Sequence, residues 1–378
     1  MRGGTAVRNL RLVCGLILMA FVACHLANLS IGIHSLAAME AWRGTLTMPW
    51  TRGAGLWLLG GAAGVHIVLG LYAIASRRSL AMNRSDVAQL VLGLLTPPLL
   101  LAHVVAMHFA STVSPDFPAT YAQILAVYWS FAPIYAFQQL FVVVIVWMHG
   151  ALGLYSWLVL KPVWRRIGGF VLPVLFAVPI LALVGFAESG KEVLERLAND
   201  AAWRAYIIDN VGRVAKAASE LGAFQANAVQ VYAGLVLFAG CIVAARVWRD
   251  RRMPVQIAYD GGELANGRRG LTILELSRLN DVAHAHVCSG RGRCGTCRVQ
   301  VDAGAQSLSP LNDAERETLA RVHASEGVRL ACQARVLGHG VAVTRLLPAY
   351  ADASAAREPQ DWSAEAGAPA APAQETAA

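Results

Sequence analysis

The run Cys288-Ser-Gly-Arg-Gly-Arg-Cys294-Gly-Thr-Cys297 lies near the C-terminus of this 378-residue chain, and a fourth cysteine, Cys332, follows Cys297 after thirty-five residues. Three closely spaced thiols on a glycine-rich loop, with one distant thiol, form the ligand layout of a plant-type 2Fe–2S cluster. The glycines let backbone N–H groups approach the cluster sulfurs, and the neighbouring arginines stabilise the negative charge. The stretch therefore predicts an iron–sulfur site built from Cys288, Cys294, Cys297 and Cys332.

A structural zinc ion is the alternative occupant of these thiols. Zinc sites favour two C-x2-C pairs, and the three-plus-one layout on a Gly/Arg loop departs from that pattern. The other cysteines, Cys14, Cys24 and Cys241, lie in apolar runs, where an isolated cysteine behaves as a small hydrophobe. The sequence thus predicts no disulfide framework, and reduced thiols favour the cytoplasm for this part of the chain.

Short apolar runs surround the cysteine loop. Alternation predicts strands at 255–259, 298–301, 328–332 and 341–347, and Gly261, Gly262 and Gly267 predict a turn. Helices are predicted at 271–279 and 312–319, the second capped by Ser309 or Asn312. Residues 254–349 therefore predict a small α+β domain.

The remainder of the chain is much more apolar. The whole sequence is 56% hydrophobic and only 15% charged, with a mean hydropathy of +0.48, which is too apolar for an ordinary soluble protein. Six stretches are long enough to cross a bilayer: about 12–33, 54–75, 87–109, 131–160, 168–187 and 225–246. Residues 1–250 therefore predict an all-α membrane bundle of six helices.

The charge pattern predicts the orientation of this bundle. The formal net charge of +8 would suit a nucleic-acid partner, but the basic residues flank the apolar runs, as the positive-inside rule requires, and we expect no nucleic acid. Both termini and the cysteine domain are expected on the cytoplasmic side. The first span also resembles a signal peptide, but five further spans follow it. The segment 188–224 is expected on the outer side and looks helical.

Four spans each carry one histidine well within the lipid: His25, His66, His103 and His149. An ionisable side chain at this depth is costly and usually functional. At about 1.5 Å per residue, His66 and His149 lie about 16–18 Å from the cytoplasmic helix ends, and His25 and His103 about 21–28 Å. Two imidazoles at one level can hold a haem iron from both sides, which leaves no open coordination position and suits electron transfer. The pattern predicts two b-type haems.

Several neighbours leave alternatives open. His34 or His108 could replace its neighbour as a ligand, and His108 could instead contact a quinone, as could Gln138 and Gln139. Glycines accompany the inner histidines, where they permit either close helix packing or a flat macrocycle: Gly60, Gly61, Gly64, Gly70, Gly150 and Gly153. Arg77 and Arg78 are placed to neutralise haem propionates, although the positive-inside rule alone explains them. The remaining histidines, His284, His286, His323 and His339, are expected at the surface.

These residues resemble a known family. The cysteine loop, with Arg329-Leu-Ala-Cys332-Gln-Ala-Arg335, resembles the plant-type ferredoxin domain of bacterial membrane-anchored class III adenylate cyclases, including a C-x5-C spacing where plant ferredoxins have C-x4-C. The spans resemble the dihaem anchor of the same proteins, which is similar to the dihaem cytochrome b subunit of succinate dehydrogenase and fumarate reductase. The matching stretches are His66-Ile-Val-Leu-Gly-Leu-Tyr72, Gln89-Leu-Val-Leu-Gly93, Pro98-Leu-Leu-Leu-Ala-His103 and Trp147-Met-His149-Gly-Ala-Leu-Gly-Leu-Tyr155.

The resemblance covers residues 10–350 and implies a β-grasp ferredoxin fold behind a six-helix anchor in the bacterial inner membrane. One departure is large, because residues 350–378 are rich in Ala, Pro, Glu and Ser and of disordered composition. We therefore expect no cyclase activity from this chain. Its expected domains are the anchor (1–250), the ferredoxin domain (254–349) and a disordered tail (350–378).

The sequence thus predicts an electron-transfer protein that connects the quinone pool, two b haems and a cytoplasmic 2Fe–2S cluster. Its expected partners are the bilayer, quinol or quinone, and a soluble redox partner. The alternative is a redox- or quinone-sensing anchor that acts on a separate effector such as an adenylate cyclase. A haem-free six-span protein with a zinc-bound domain is a third possibility.

Overall fold

The structure of the protein is a computed structural model that describes residues 3–78, 82–113, 120–161, 163–215, 218–352 and 355. Most of the expected tail, 350–378, therefore lies outside the described residues. The described chain forms a long helical part followed by a small domain with a mixed sheet. This confirms the predicted fold class.

Ten helices are described in the first 250 residues: α1 (Gly3–Ile31), α2 (Leu36–Leu46), α3 (Met48–Thr51), α4 (Gly53–Ala75), α5 (Arg84–Val113), α6 (Tyr121–Ala126), α7 (Pro133–Leu158), α8 (Trp164–Asn199), α9 (Ala201–Ala215) and α10 (Ala218–Asp250). A π-helical turn, Val127–Phe131, joins α6 to α7. Helices α1, α4, α5, α7, α8 and α10 are long and apolar enough to cross a membrane. The six helices indicate a multi-pass membrane protein.

Two of the four prolines inside these helices are matched by side-chain donors from neighbouring helices. Pro98 in α5 and Pro179 in α8 lack an N–H, so each leaves the carbonyl four residues earlier without its helical donor. The Tyr232 hydroxyl donates to the carbonyl of Leu94 (3.0 Å), and the Trp147 indole donates to the carbonyl of Leu175 (2.6 Å). These two bonds satisfy the freed backbone groups, as the interior of a membrane protein requires.

One end of the bundle carries additional helices. Helix α8 continues well past the predicted span 168–187 and reaches Asn199, and α9 follows directly. Together with α2 and α6 they enclose a core that includes Met39, Leu125, Val193 and Ile207. We call this layer the distal cap. It contains residues 188–215 of the segment 188–224, whose role the sequence did not indicate.

The small domain contains β1 (Pro254–Tyr259), β2 (Leu264–Arg268), α11 (Ile273–Leu279), β3 (Arg298–Ala303), α12 (Asp313–Arg321), β4 (Val328–Leu330) and β5 (Val341–Arg345). The strands lie in the order β2-β1-β5-β3-β4, with β1 and β5 parallel and the other pairs antiparallel. Thr272 and Glu275 form a capping box that starts α11. We predicted the other four strands and both helices within a few residues, but missed β2.

Strand β2 was missed because its Gly267 was interpreted as part of a turn. Gly267 lies in the strand, where a Cβ would overlap the Leu276 side chain of α11. Glycine therefore allows the helix to pack closely on the sheet.

A buried ion pair holds α12 against the sheet. Glu315 is fully buried and receives two hydrogen bonds from the guanidinium of Arg329, at 2.8 and 3.0 Å, and one from the backbone N–H of Leu330 at 2.9 Å. Because Arg329 and Leu330 lie on β4, just before Cys332, this pair fixes the segment that carries the fourth thiol.

Candidate functional site

The four predicted thiols meet at one place in the small domain. Cys288, Cys294 and Cys297 lie on the loop between α11 and β3, and Cys332 follows the end of β4. All four are buried. Ser289, Gly290, Gly292 and Gly295 have positive φ angles, so the loop turns repeatedly inward, as a backbone that wraps a cluster must.

The thiols approach each other in two pairs. Cys288 lies in hydrogen-bonding contact with Cys294, and Cys297 with Cys332. A lone tetrahedral zinc ion requires four ligands around one centre, whereas a 2Fe–2S cluster requires two thiolates for each iron. The two thiol pairs match this requirement, with one pair for each iron.

Backbone donors favour the thiolate form at one end of this site. The contact with Cys294, together with backbone N–H groups of Arg291, Arg293 and Cys294, lowers the pKa of Cys288 to about 5. The contact with Cys288, and burial, raise the pKa of Cys294, because two adjacent buried thiols do not ionise together without a metal. The hydroxyl of Thr296 lies 3.0 Å from the Cys294 sulfur.

Two residues near the thiols were missed or wrongly placed from the sequence. The Gln333 side chain donates to the Cys332 sulfur (3.4 Å) and to the carbonyl of Gly290 (3.1 Å), which joins the fourth thiol to the loop. In the sequence, the sign of this role is that Gln333 directly follows Cys332. His284, expected at the surface, is buried beside Tyr259 with Nδ1 3.0 Å from the Ser277 hydroxyl. Burial lowers the pKa of His284 to about 4.

The cysteine loop rests on the end of the helical bundle opposite the distal cap. Cys288 and Cys294 pack against Leu160, just beyond the end of α7. Arg291 donates to the carboxylate of Asp86 on α5 (2.9 Å), and Asn83 donates to the hydroxyl of Ser289 (2.6 Å). We call these contacts the docking interface.

The N-terminal helix also reaches this interface. The guanidinium of Arg8 in α1 donates to the carbonyl of Arg291 (3.3 Å). Burial, with the positive charges of Arg8 and Arg291, lowers the pKa of Arg293 to about 10. The connection between the bundle and the sheet is short, because α10 ends at Asp250 and β1 begins at Pro254. Arg78 donates to the carboxylate of Asp250 (3.3 Å), so it braces this junction.

The four predicted histidines lie on four different helices and form two pairs. His66 of α4 and His149 of α7 have ring centres 6.2 Å apart with planes at 85°. His25 of α1 and His103 of α5 have ring centres 6.1 Å apart with planes at 51°. We call these the inner pair and the outer pair, because the inner pair lies nearer to the docking interface along α7.

The spacing of both pairs matches two imidazoles on one metal ion. An imidazole nitrogen binds a metal at about 2.0–2.1 Å and lies about 1.2 Å from its ring centre, so two axial rings have centres about 6.4 Å apart. The observed separations of 6.2 and 6.1 Å agree within a few tenths of an ångström. The residues present therefore fit a bis-imidazole haem at each level.

The inner histidines are held by backbone carbonyls of neighbouring helices. His66 Nδ1 lies 3.1 Å from the carbonyl oxygen of Arg11, and His149 Nδ1 lies 3.1 Å from that of Gln89. A carbonyl only accepts, so these two contacts favour a proton on each Nδ1 and leave Nε2 with the free lone pair that a metal requires. For His149, the side-chain amide nitrogen of Gln89 also lies 3.4 Å from Nδ1. The Gln89 amide additionally donates to the carbonyl of His149 (3.1 Å).

The outer pair has different neighbours, which the sequence did not suggest. The Tyr128 hydroxyl lies 3.4 Å from His103 Nδ1, and Phe21 stacks on His25 with ring centres 5.8 Å apart. Tyr128 lies on the π-helical turn, a feature that often marks functional sites.

The alternative residues are not joined to these pairs in the described part of the chain. His34 is exposed beyond the end of α1. The side chain of His108 lies outside the described residues. Gln138 donates to the carbonyl of Leu99 (2.9 Å), and Gln139 is buried in α7.

Comparisons with known proteins bear on the small domain. Residues 260–337 match the family of 2Fe-2S iron-sulfur cluster binding domains. Chlorosome proteins I and J of Chlorobaculum tepidum are 38% and 31% identical over 76 and 84 residues, which are 20% and 22% of this chain. The matches cover 31% and 37% of those proteins, so the chain spans about a third of their length.

Two ferredoxins match over almost their whole length. The solved ISC-like [2Fe-2S] ferredoxin of Pseudomonas putida is 24% identical over 26% of this chain and 94% of its own, with a TM-score of 0.22. The 2Fe-2S ferredoxin-5 of Aquifex aeolicus is 30% identical over 95 residues, which are 25% of this chain and 99% of that ferredoxin. Through its C-terminal domain the chain therefore belongs to the 2Fe-2S ferredoxin family, here joined to a six-helix membrane region.

Proposed function

We propose that this chain is a membrane-bound electron-transfer protein that passes electrons between quinol or quinone, two b haems and the 2Fe–2S cluster, in either direction. His25 and His103 hold the outer haem, His66 and His149 hold the inner haem, and Cys288, Cys294, Cys297 and Cys332 hold the cluster. A haem with two axial imidazoles exchanges single electrons and has no open position for a substrate. The cluster end lies on the cytoplasmic side of a bacterial inner membrane.

The observation that carries this proposal is the pairing of the four intramembrane histidines. Each ring belongs to a different helix, yet the two pairs share nearly the same separation, 6.2 and 6.1 Å. Ionisable side chains inside a membrane are costly and usually functional. One haem iron between the two rings of each pair explains why the histidines lie inside the membrane and why both pairs have nearly the same separation.

The docking interface supports transfer within one molecule. The backbone carbonyl of Arg11 accepts a hydrogen bond from His66 Nδ1. One turn earlier on α1, the guanidinium of Arg8 donates to the carbonyl of Arg291 in the cysteine loop. His149 lies eleven residues before Leu160, which is about 17 Å along α7, and Leu160 packs on Cys288 and Cys294. Two connections therefore link the inner pair to the cluster, and the short linkage keeps the two domains at a high effective concentration.

The test is quinol reduction of the purified protein in lipid nanodiscs. We expect a reduced-minus-oxidised spectrum with b-type bands, a stoichiometry of two haems per 2Fe–2S cluster, and reduction of the haems before the cluster when a quinol is the donor. Protein that is isolated anaerobically with the cluster but without haem would overturn the proposal for the helical part. Haems that no quinol reduces would overturn the proposed electron source.

The matched variants are His66→Ala and His34→Ala. His66→Ala should lose the inner haem, keep the outer haem and the cluster, and slow cluster reduction by quinol. His34→Ala removes an exposed histidine of the same helical part and should change neither haem. Loss of a haem in His34→Ala, with both retained in His66→Ala, would contradict the assignment.

A second candidate function is a redox- or quinone-sensing anchor for a separate effector, such as an adenylate cyclase. The covered cysteine loop favours it, because Cys288 and Cys294 are buried against the bundle at the docking interface, where a soluble acceptor would otherwise approach. Under this function the reduced protein passes electrons to soluble acceptors slowly, and a cyclase or other effector copurifies in one redox state only. Rapid turnover with a soluble acceptor would favour the electron carrier instead.

A further inference from the structure

Two glycines lie directly against the inner histidine rings. A Cβ added to Gly15 of α1 would lie 3.0 Å from Cε1 of His66, and one added to Gly93 of α5 would lie 2.7 Å from Cε1 of His149. Among the glycines of the described chain, Gly15 and Gly93 are the two for which a histidine ring supplies the nearest atoms to an added Cβ. A larger residue at position 93 would force the His149 ring to shift, and one at position 15 would require the His66 ring to give by a few tenths of an ångström.

The same two glycines uncover the carbonyls that the histidines use. In an α-helix the carbonyl at position i accepts the N–H of residue i+4, and the side chain of residue i+4 leans back over the preceding turn. Arg11 is four residues before Gly15, and Gln89 is four residues before Gly93. Because glycine leaves this space open, the imidazoles of His66 and His149 reach the carbonyls of Arg11 and Gln89, each at 3.1 Å.

We infer that Gly15 and Gly93 are positioning residues for the inner haem. Each glycine leaves room for one imidazole ring to reach the carbonyl four residues earlier in the same helix. The two carbonyl contacts then favour the Nδ1-protonated tautomer of His66 and His149 and fix the orientation of both rings. A metal-bound histidine commonly donates its second N–H to such an acceptor, which orients the ring and raises its basicity. The inference rests on the proposed function, since it assigns these two residues to the proposed haem site.

The outer pair lacks this device in the described chain. His103 Nδ1 faces the Tyr128 hydroxyl at 3.4 Å, which is a longer contact to a side chain. The planes of the inner rings are nearly perpendicular, at 85°, whereas those of the outer rings meet at 51°. Perpendicular axial imidazoles give a more anisotropic low-spin EPR signal, so the two haems should be distinguishable in the oxidised protein.

The chain provides a matched control on α4. Gly64 is two residues before His66 on the same helix, and an added Cβ there meets nothing within 4 Å. Gly60, Gly61 and Gly70 are equally open. Alanine at these positions adds a methyl group without disturbing the ring, and it also favours the helix over glycine.

The experiment compares Gly15→Ala, Gly93→Ala and Gly64→Ala in purified protein, with haem content expressed per 2Fe–2S cluster. We expect Gly15→Ala and Gly93→Ala either to lose the inner haem or to shift its midpoint potential and its largest g value, while the outer haem stays unchanged. Gly64→Ala should keep both haems, both potentials and both EPR signals. Wild-type signals for both haems in Gly15→Ala and Gly93→Ala would overturn the inference while leaving the proposed function intact.

The two possible failures remain distinguishable. If the wild-type protein contains no haem, the proposed function itself is wrong, and this is known before any glycine variant is made. If neither alanine variant accumulates, pulsed EPR on wild-type protein labelled with ¹⁵N-histidine decides the matter. A hydrogen-bonded Nδ1 proton on both ligands of the more anisotropic haem supports the inference, and an Nδ1 without such a bond overturns it.

Discussion

The ferredoxin domain and the helical bundle assemble their ligands in opposite ways. In the ferredoxin domain, three of the four thiols come from the ten residues 288–297, and positive φ angles within that loop set their directions. In the bundle, each of the four histidines comes from a different helix. The thiol site is therefore defined mostly by local backbone, whereas the imidazole sites exist only when four helices pack in register.

This difference predicts which cofactor sites a substitution in either part should affect. A change in the cysteine loop should stay within the ferredoxin domain, because the bundle has its own contacts and its own core. A change in one helix should remove one imidazole level and spare the thiols. The predicted domain bounds of 1–250 and 254–349 can be tested in this way, because a substitution in one domain should leave the cofactors of the other domain in place.

The largest effect is expected for Cys297→Ser, which tests whether the thiol site fails alone. Cys297 is buried in the core of the ferredoxin domain, in contact with Cys332, so its loss removes one iron ligand where no substitute is near. We expect at least a tenfold loss of the reduced 2Fe–2S EPR signal and of acid-labile sulfide, with both haems retained. The control is Cys241→Ser, an exposed thiol on α10. Loss of haem in Cys297→Ser would show that the two parts depend on each other.

The converse experiment is His103→Ala, which should remove the outer haem site and leave the inner haem site and the thiol site intact. We expect the haem-to-cluster ratio to fall from two to one, with the more anisotropic EPR signal of the inner pair retained. Haem quantification by pyridine haemochrome and EPR of the oxidised protein provide the measurement. His339→Ala, in an exposed turn of the ferredoxin domain, is the control. A variant that keeps two haems would mean that another residue replaces His103.

The third experiment separates the stabilities of the two parts. Glu315 is fully buried against Arg329, and removing one partner of a buried ion pair costs about 3–5 kcal/mol because the other charge remains unpaired. Glu315→Gln should therefore lower the free energy of unfolding of the ferredoxin domain by about that amount. The denaturant midpoint for cluster bleaching should fall, while that for loss of the haem Soret band stays unchanged. Glu317→Gln, on the exposed side of α12, should change neither midpoint.

The same contrast explains what the sequence could reveal. The cysteine spacing is local, so the thiol site follows from the order of residues along one loop. The six membrane helices follow from hydropathy, and the depths of the histidines follow from the rise per residue of a helix. These depths paired His25 with His103 and His66 with His149, which are the partners that the structure brings together.

What the sequence could not reveal depends on rotation of helices about their axes. Gly60, Gly61, Gly64 and Gly70 surround His66 in sequence but face open space, whereas Gly15, fifty-one residues away, lies against its ring. Hydropathy in a nearly uniformly apolar helix does not show which face meets which neighbour. The burial of His284 was missed for a related reason, since it depends on Tyr259 and Ser277 from other segments.

The smallest expected effect concerns the docking interface, where the two parts meet. The carboxylate of Asp86 accepts from Arg291, a guanidinium whose side chain is 30% exposed, and such a partly solvated pair contributes about 1 kcal/mol or less. Asp86→Asn should leave both haems and the cluster in place and slow haem-to-cluster transfer by a few fold, measured by stopped-flow reduction with quinol.

The matched control for this change is Asp209→Asn, because Asp209 pairs with Arg213 in the distal cap (2.7 Å), far from the cysteine loop. It should leave the transfer rate unchanged. If Asp86→Asn transfers at the wild-type rate even at high ionic strength, which screens the remaining charges, then the other contacts of the docking interface and the short connection after Asp250 suffice to hold the cluster against the bundle. If both variants slow transfer equally, the rate reports the stability of the bundle, and the docking interface is not the route between its two parts.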